Sequence, residues 1–396
     1  MNDYHDVDLP LGPALNAWEV QRTGATPSGE TMILNMGPQH PATHGVLRLE
    51  LETDGEAVVK IRPHIGYLHR SFEKICEKVS WPQIVPYADR MDYCAAMNSA
   101  FGYVLAAEKV LGIEVNDRVQ TIRVITAELT RIASHLIALA TNGLDIGAWT
   151  PLLLLFQHRE HILDLLEEIS GARLLYNYIW IGGLAHDITP GWTDKVLQFC
   201  DYFDPKIVEL NELLSYNKIF VERMGNVGVM TPEIAVAYGV TGPNLRATGV
   251  KWDLRKNEPY SGYENYDFDV PIGTGEKGAP GDCWDRYIVR VREMAESLKI
   301  IRQAVKRLPE GDVKEKIPRN FNKVAVGEAY VRSEAPRGEL GFYIVSDGTR
   351  NPYRVKARSG CFTVVSSLPA FTEGLLISDV VATVASIDIV LGEVDR

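Results

Sequence analysis

Residues 132–157 contain neither lysine nor arginine, and a chain must put such a stretch either in a membrane or deep in its own core. Asn142-Gly143-Leu144-Asp145-Ile146-Gly147 and Pro151 interrupt it, so it offers no clean run of about 20 apolar residues. The stretch from Cys361 to Gly392 is similarly apolar and is broken by Pro369, Glu373 and Asp379. Both therefore predict buried interior, with no transmembrane helix.

The surrounding pattern is helical. Apolar periodicity marks helices at Met91–Leu111, Asp117–Asn142, Pro151–Gly171, Asp194–Tyr216 and Asp282–Leu308. Asp117 and Thr150 suit helix starts, and Gly143 and Gly171 suit helix ends. Helices of this length imply a long central bundle. Ahead of it, strand-like segments at Met32–Met36, Val46–Glu52 and Ala57–Pro63, the last two joined across Asp54-Gly55, predict an antiparallel sheet. The expected organisation is α+β: an extended arm over 1–30, an antiparallel sheet over 31–66, a helical bundle over 67–320 with an aromatic-rich irregular insert at 249–283, and a mixed α/β part over 321–396.

A net charge of −11 argues against a nucleic-acid partner. The N-terminal residues are acidic and lack the basic-then-apolar order of a signal peptide. The five cysteines form no Cys-x-x-Cys pair, which argues against a disulfide framework, a zinc site or a resident iron–sulfur cluster. Gly-x-Gly-x-x-Gly is also absent, which weakens direct dinucleotide binding.

Chemistry gathers in Gly37-Pro38-Gln39-His40-Pro41-Ala42-Thr43-His44-Gly45. Pro41 pushes His40 out of the α region, so the two imidazoles are not paired metal ligands on one helical face. They read as a loop presenting near-neutral groups, or as a tight turn with solvated histidines. Asp145, past the end of an apolar helix, is a turn cap or the buried partner of a distant base. Tyr93 opens a long apolar helix as a core residue with a tethered hydroxyl, or as a functional one. Glu128, Arg131 and His135 share one face of an apolar helix and read as an internal polar network, with proton relay the alternative. His158 and His161 read as a solvated or packed face. Arg337, in a Pro-Arg-Gly turn, offers a fixed guanidinium to an anion or cofactor edge, or to a structural ion pair.

Blocks spread through the chain in order resemble one family: Gly37–Leu49, Pro63–Lys74, Tyr87–Tyr93, Glu128–Leu136, Leu144–Pro151, Gly249–Arg255, Gly281–Arg286 and Glu334–Arg354. From about residue 31 to 396 the chain is similar to the quinone-site subunit of proton-pumping NADH:quinone oxidoreductase, respiratory complex I. The resemblance implies the fold of the nickel–iron hydrogenase large subunit, with a departure. Hydrogenases hold nickel with two Cys-x-x-Cys pairs; the corresponding positions here are Asp92 and Ala95, and Val390 and Glu393. Without four thiolates a soft metal centre is not retained, and the vacated pocket suits a quinone head. The resemblance assigns His44 and Tyr93 to the quinone head group, Asp145 to the histidine, Arg70 to the neighbourhood of the terminal cluster, and His40, less directly, to the same loop. Arg337 joins them as a candidate. No metal is implied for this chain itself. The implied partners are an iron–sulfur small subunit carrying the terminal 4Fe-4S cluster, other peripheral-arm subunits and a membrane subunit that delivers the quinone. The implied place is the cytoplasmic side of the membrane. On this reading Asp145 favours a protonated, donating His44 near neutral pH. A noncatalytic scaffold and an energy-converting hydrogenase subunit are the competing readings.

Overall fold

The computed structural model describes residues 31–317, 321 and 324–396, so the expected arm over 1–30 lies outside the described residues. Strands β1 (Met32–Met36), β2 (Arg48–Asp54) and β3 (Ala57–His64) form an antiparallel sheet in the order β1-β2-β3. Alternation decides its two faces: Leu49 and Leu51 point inward with Val58 and Ile61, while Arg62 and His64 meet Glu50 on the outer face. Gly55, at φ 59°, supplies the left-handed turn between β2 and β3.

The helical part follows. Helices α1 (Phe72–Cys76) and α2 (Trp81–Asp89) lead into α3 (Ala96–Leu111), α4 (Asp117–Asp145) and α5 (Trp149–Ser170). A short hairpin, β4 (Ile179–Trp180) and β5 (Gly183–Leu184), precedes α6 (Trp192–Leu210). Short helices α7 (Lys218–Met224), α8 (Pro232–Ala237), α9 (Gly242–Ala247) and α10 (Leu254–Asn257) then lead to the long α11 (Cys283–Arg307). Strands β6 (Val326–Ala335), β7 (Gly338–Asp347) and β8 (Arg354–Arg358) form a second antiparallel sheet, and α12 (Gly360–Thr372), α13 (Ile377–Ile387) and α14 (Leu391–Asp395) end the chain. The result mixes α and β, as expected.

Helix α4 is the axis, packed against α3, α5, α11 and α13. It is long and apolar enough to cross a membrane by length and composition, yet 89% of its apolar window is buried within the chain. Three helix boundaries differ from expectation by three residues or more. Helix α4 runs through Gly143 to Asp145, and the glycine serves packing rather than a stop: an added Cβ would lie 3.2 Å from Leu214 Cδ2. Helix α3 starts at Ala96 rather than Met91, because the Asp92 carboxylate accepts from the backbone N–H of Cys94 and Ala95 and holds a turn there. Helix α6 stops at Leu210, followed by a π-helical turn over Asn211–Ser215.

The polar residues of α4 form the expected network. Glu128 pairs with Arg131 and with Arg255, both at 3.2 Å, and accepts from Tyr263 and Ser297. Burial alone would raise the Glu128 pKa; the two guanidinium groups hold it below its ordinary value. Arg255 also pairs with Asp253, Arg246 with Glu293 and Glu334, and His135 with Glu293. These charges, drawn from α4, α9, α10, α11 and β6, are buried together. Removing one would strand its partner at a cost of about 3–5 kcal/mol. The insert at 249–283 is built in by the same contacts, with Tyr263 fully buried and its ring 5.0 Å from that of Tyr260. His158 is a packed residue, its Nδ1 2.9 Å from the Tyr202 hydroxyl.

Candidate functional site

The His40–Gly45 loop follows β1 and contains one turn of 3₁₀ helix, Pro41–Thr43, where sequence reasoning allowed no helical turn. Pro41 suits its first position, and His40 stays extended (φ −146°, ψ 135°), as the proline requires. The Nδ1 of His40 accepts from the Ala42 N–H at 3.2 Å, and the ring is otherwise exposed. His40 is thus the cap of this turn and is not drawn into the cluster below. His44 ends the turn in the left-handed region (φ 51°, ψ 36°), which folds its ring back toward the body.

There it meets α4. The His44 Nε2 lies 3.7 Å from Asp145 Oδ2, with the two side chains 12% and 6% exposed. That separation is too long for a hydrogen bond, and among the described residues neither atom has another partner. Burial therefore governs both groups. It lowers the His44 pKa, aided by Arg337 and opposed by Asp388, and raises that of Asp145 to about 7. Both shifts favour a neutral imidazole beside a carboxyl raised to about 7, in place of the expected imidazolium–carboxylate pair. Desolvation wins because the bare carboxylate makes no hydrogen bond that would reward its charge.

Tyr93 stands on the turn that Asp92 shapes, before α3 rather than within it. Its hydroxyl makes no hydrogen bond among the described residues, and burial, with the neighbouring Cys94 thiol next, raises its pKa to about 12. Arg337, fully within the protein, donates to Asp92 at 2.8 Å and to Asp388 at 3.0 Å, and also to the Asp388 carbonyl at 3.1 Å. The structural alternative for Arg337 is the one realised: its donors are spent on two carboxylates and a backbone carbonyl. It remains in the site electrostatically, acting on both His44 and Tyr93.

The segment from Asp388 to Glu393 joins these parts. A Cβ built on Gly45 would lie 3.9 Å from Leu391 Cδ1; one built on Gly392 would lie 2.7 Å from the Met91 carbonyl, 3.2 Å from Tyr93 Cε1 and 3.2 Å from Arg70 Nη2. Gly392 thus allows the Tyr93 ring, the Arg70 guanidinium and the C-terminal segment to touch. Arg70 is exposed and donates to the Arg90 carbonyl at 2.5 Å. The Asp395 carboxylate accepts from the backbone N–H of Gly66 and Leu68, pinning the loop that carries Arg70. Glu393 is buried with the Cys361 thiol 3.2 Å from its carboxylate and no cation in contact, and burial raises its pKa.

His44, Tyr93, Asp145, Arg70 and Arg337 are therefore brought to one region, and His40 to its rim. Sequence reasoning missed Asp388, Gly392 and Asp395. Their signal was faint: carboxylates and a glycine in an otherwise apolar C-terminal stretch. Among the described residues no cluster of histidine, cysteine and acidic groups is arranged to hold a metal ion.

Residues 145–396 match the family model described as respiratory-chain NADH dehydrogenase, 49 kDa subunit. The chain is 56% identical to the D subunit of NADH-quinone oxidoreductase from Chlorobaculum tepidum, over 93% of this chain and 92% of that one. This chain belongs to that family. The same subunit from Chlorobium luteolum is 55% identical over 93% of this chain and 94% of its own, and that from Prosthecochloris aestuarii 54% identical over 93% of each. The family is one of subunits of a multisubunit oxidoreductase, so its members work among other complex I subunits.

Proposed function

We propose that this chain is the quinone-site subunit of NADH:quinone oxidoreductase, and that His44, Asp145 and Tyr93 supply the protons when the quinone is reduced. The observation that carries this reading is the meeting of the His44–Asp145 pair and the Tyr93 turn on one segment, Asp388–Gly392. Reduction of a quinone takes two electrons and two protons and places negative charge on two carbonyl oxygens, each needing a donor where water is scarce. The Tyr93 hydroxyl, its pKa raised to about 12, stays protonated across the physiological range and gives up its proton only to a developing oxyanion. The other proton resides on Asp145, whose pKa of about 7 poises it for transfer, and the neutral His44 imidazole hands it on. Electrons reach the quinone from a 4Fe-4S cluster in an adjoining small subunit, which docks on the Arg70 side, and the quinone itself arrives from a membrane subunit.

The hydrogenase-like origin of the pocket is part of the same reading. Asp92 and Glu393 stand at two of the four positions that are thiolates in hydrogenases. Burial raises the pKa of both, Asp92 adds to the rise at Glu393, and Arg337 opposes it at each. A guanidinium fixed among carboxylates answers the charge balance that a metal–thiolate centre would otherwise set. Loss of the proton shared by His44 and Asp145 changes the charge of the site by one, and we assign to that change this chain's part in proton translocation from the cytoplasmic face. The test is quinone-dependent NADH oxidation by assembled complexes carrying Tyr93→Phe or His44→Gln. Losses of turnover with normal assembly support the reading. Loss of assembly with normal turnover per complex would instead make the chain a scaffold.

A further inference from the structure

The turn between α1 and α2 and the turn between β7 and β8 meet at an open cavity of about 330 Å³. The first turn and the start of α2 contribute Lys78, Ser80 and Gln83; the second turn contributes Thr349, Arg350 and Asn351. All six side chains are polar, two are cations, and no carboxylate is among them. None of the six belongs to the quinone region.

Local chemistry leaves the donors of this cavity unspent. Glu77, beside Lys78 in the chain, is taken by Lys74 at 2.6 Å and by Arg354 at 2.9 Å. In the second turn, Asp347 Oδ1 accepts from the Thr349 N–H at 3.0 Å and from its hydroxyl at 2.7 Å, so that carboxylate serves its own turn. The Lys78 ammonium and the Arg350 guanidinium consequently make no hydrogen bond or ion pair among the described residues. Gln83 is oriented by the capping box that opens α2: its amide oxygen accepts from the Ser80 N–H at 3.0 Å and from the Ser80 hydroxyl at 2.8 Å. With the oxygen committed, the NH₂ group is what Gln83 has left to give. Two cations and an amide donor, with no counter-charge beside them, are the donor set of an anion site.

Three features choose the anion. The donors come from two separate segments, so an ion whose oxygens point in tetrahedral directions can meet both, whereas a planar carboxylate presents only one edge. The cavity falls in the range of small-molecule sites, about 300–1,000 Å³, and so has room for a group attached to the ion. No apolar side chain lines it, which suits the hydroxyls of a polyol and offers nothing to an acyl chain or an aromatic base. We propose that this cavity binds the phosphate ester of a polyol, with Lys78 and Arg350 as the anchoring cations. The chemistry recognised is that of a glycerol phosphate, free in solution or carried as the headgroup of an anionic lipid.

The experiment is calorimetric titration of the full chain with glycerol phosphate, beside co-sedimentation with phosphatidylcholine vesicles that contain or lack phosphatidylglycerol. Glycerol phosphate should bind with a Kd below about 1 mM, and rising salt should weaken it. Lys78→Ala and Arg350→Ala should each weaken binding about tenfold or more, as loss of a hydrogen bond from a charged group does. Both side chains are exposed and hold nothing in the fold, so the variants should unfold as wild type does. Lys109→Ala, an exposed lysine outside the cavity, should leave binding unchanged. Capture by phosphatidylglycerol vesicles alone, lost in the same two variants, would uphold the site and make the lipid its source. Acetate binding as tightly as glycerol phosphate would overturn the phosphate assignment and make the cavity a seat for an acidic side chain of an adjoining subunit. Absence of binding to either probe, or binding that Lys78→Ala and Arg350→Ala leave intact, would overturn the site itself.

Discussion

Tyr93→Phe removes one oxygen from the site and almost nothing from the fold. The ring stays against Gly392, and the hydroxyl has no hydrogen bond among the described residues to lose, so stability should change by less than about 0.5 kcal/mol. The cost falls on turnover. A hydrogen bond to the neutral quinone carbonyl is worth about 0.5–1.5 kcal/mol, and one to the charged oxygen of the reduced form about 1.5–3 kcal/mol. At about 1.4 kcal/mol per decade, quinone KM should rise roughly two- to twelvefold and kcat/KM should fall roughly ten- to 150-fold. Because the Tyr93 pKa is raised to about 12, the ratio of variant to wild type should be constant between pH 6 and pH 9. The assay is steady-state quinone reductase activity of purified complex, normalised to the amount of assembled enzyme. Wild-type kcat/KM in the variant, or a ratio that changes through pH 7, would refute the reasoning.

Asp145→Asn should remove the inflection near pH 7 from the pH profile of quinone reduction, because the wild-type carboxyl is protonated below that pH and ionised above it while His44 stays neutral. A profile that keeps its inflection would assign that titration to another group. The raised pKa also means that the charged form costs native stability: the penalty is absent below the ordinary carboxylate range, grows as pH rises, and is complete above about 7. Thermal unfolding of the variant complex should therefore differ from wild type more at pH 8 than at pH 5. Arg337→Met strands Asp92 and leaves Asp388 only the more distant Arg290, and should cost about 3–5 kcal/mol, read as loss of assembled complex, with part recovered in Arg337→Met/Asp92→Asn. Gly392→Ala places a methyl 2.7 Å from the Met91 carbonyl and should displace Tyr93 and Arg70, costing about 1–3 kcal/mol and lowering turnover more than Tyr93→Phe does.

Particular elements show how much was legible from the residues. The Asp54-Gly55 turn and the alternation of β2 are local signals, and each resolves into the element it encodes. Gly143 and Met91 misled because a neighbour decided them: Leu214 makes a glycine useful inside α4, and the Asp92 side chain competes with the helix for the N–H groups of residues 94 and 95. Glu128, Arg131 and His135 were readable as a polar face of one helix. Their partners Arg255 and Glu293 lie more than a hundred residues away, and no spacing rule links them.

The sequence alone carried the mixed α+β class, the helical spine and the absence of thiolate pairs, and it offered the candidate positions, because composition, periodicity and short-range turn chemistry are local. Only the tertiary structure set the burial that shifts the pKa values of those positions. A carboxylate and an imidazole near in space suggest an ion pair on paper. Asp145 and His44 instead lie in a setting where lost hydration outweighs a contact of 3.7 Å, and that balance depends on every surrounding atom rather than on the two residues themselves.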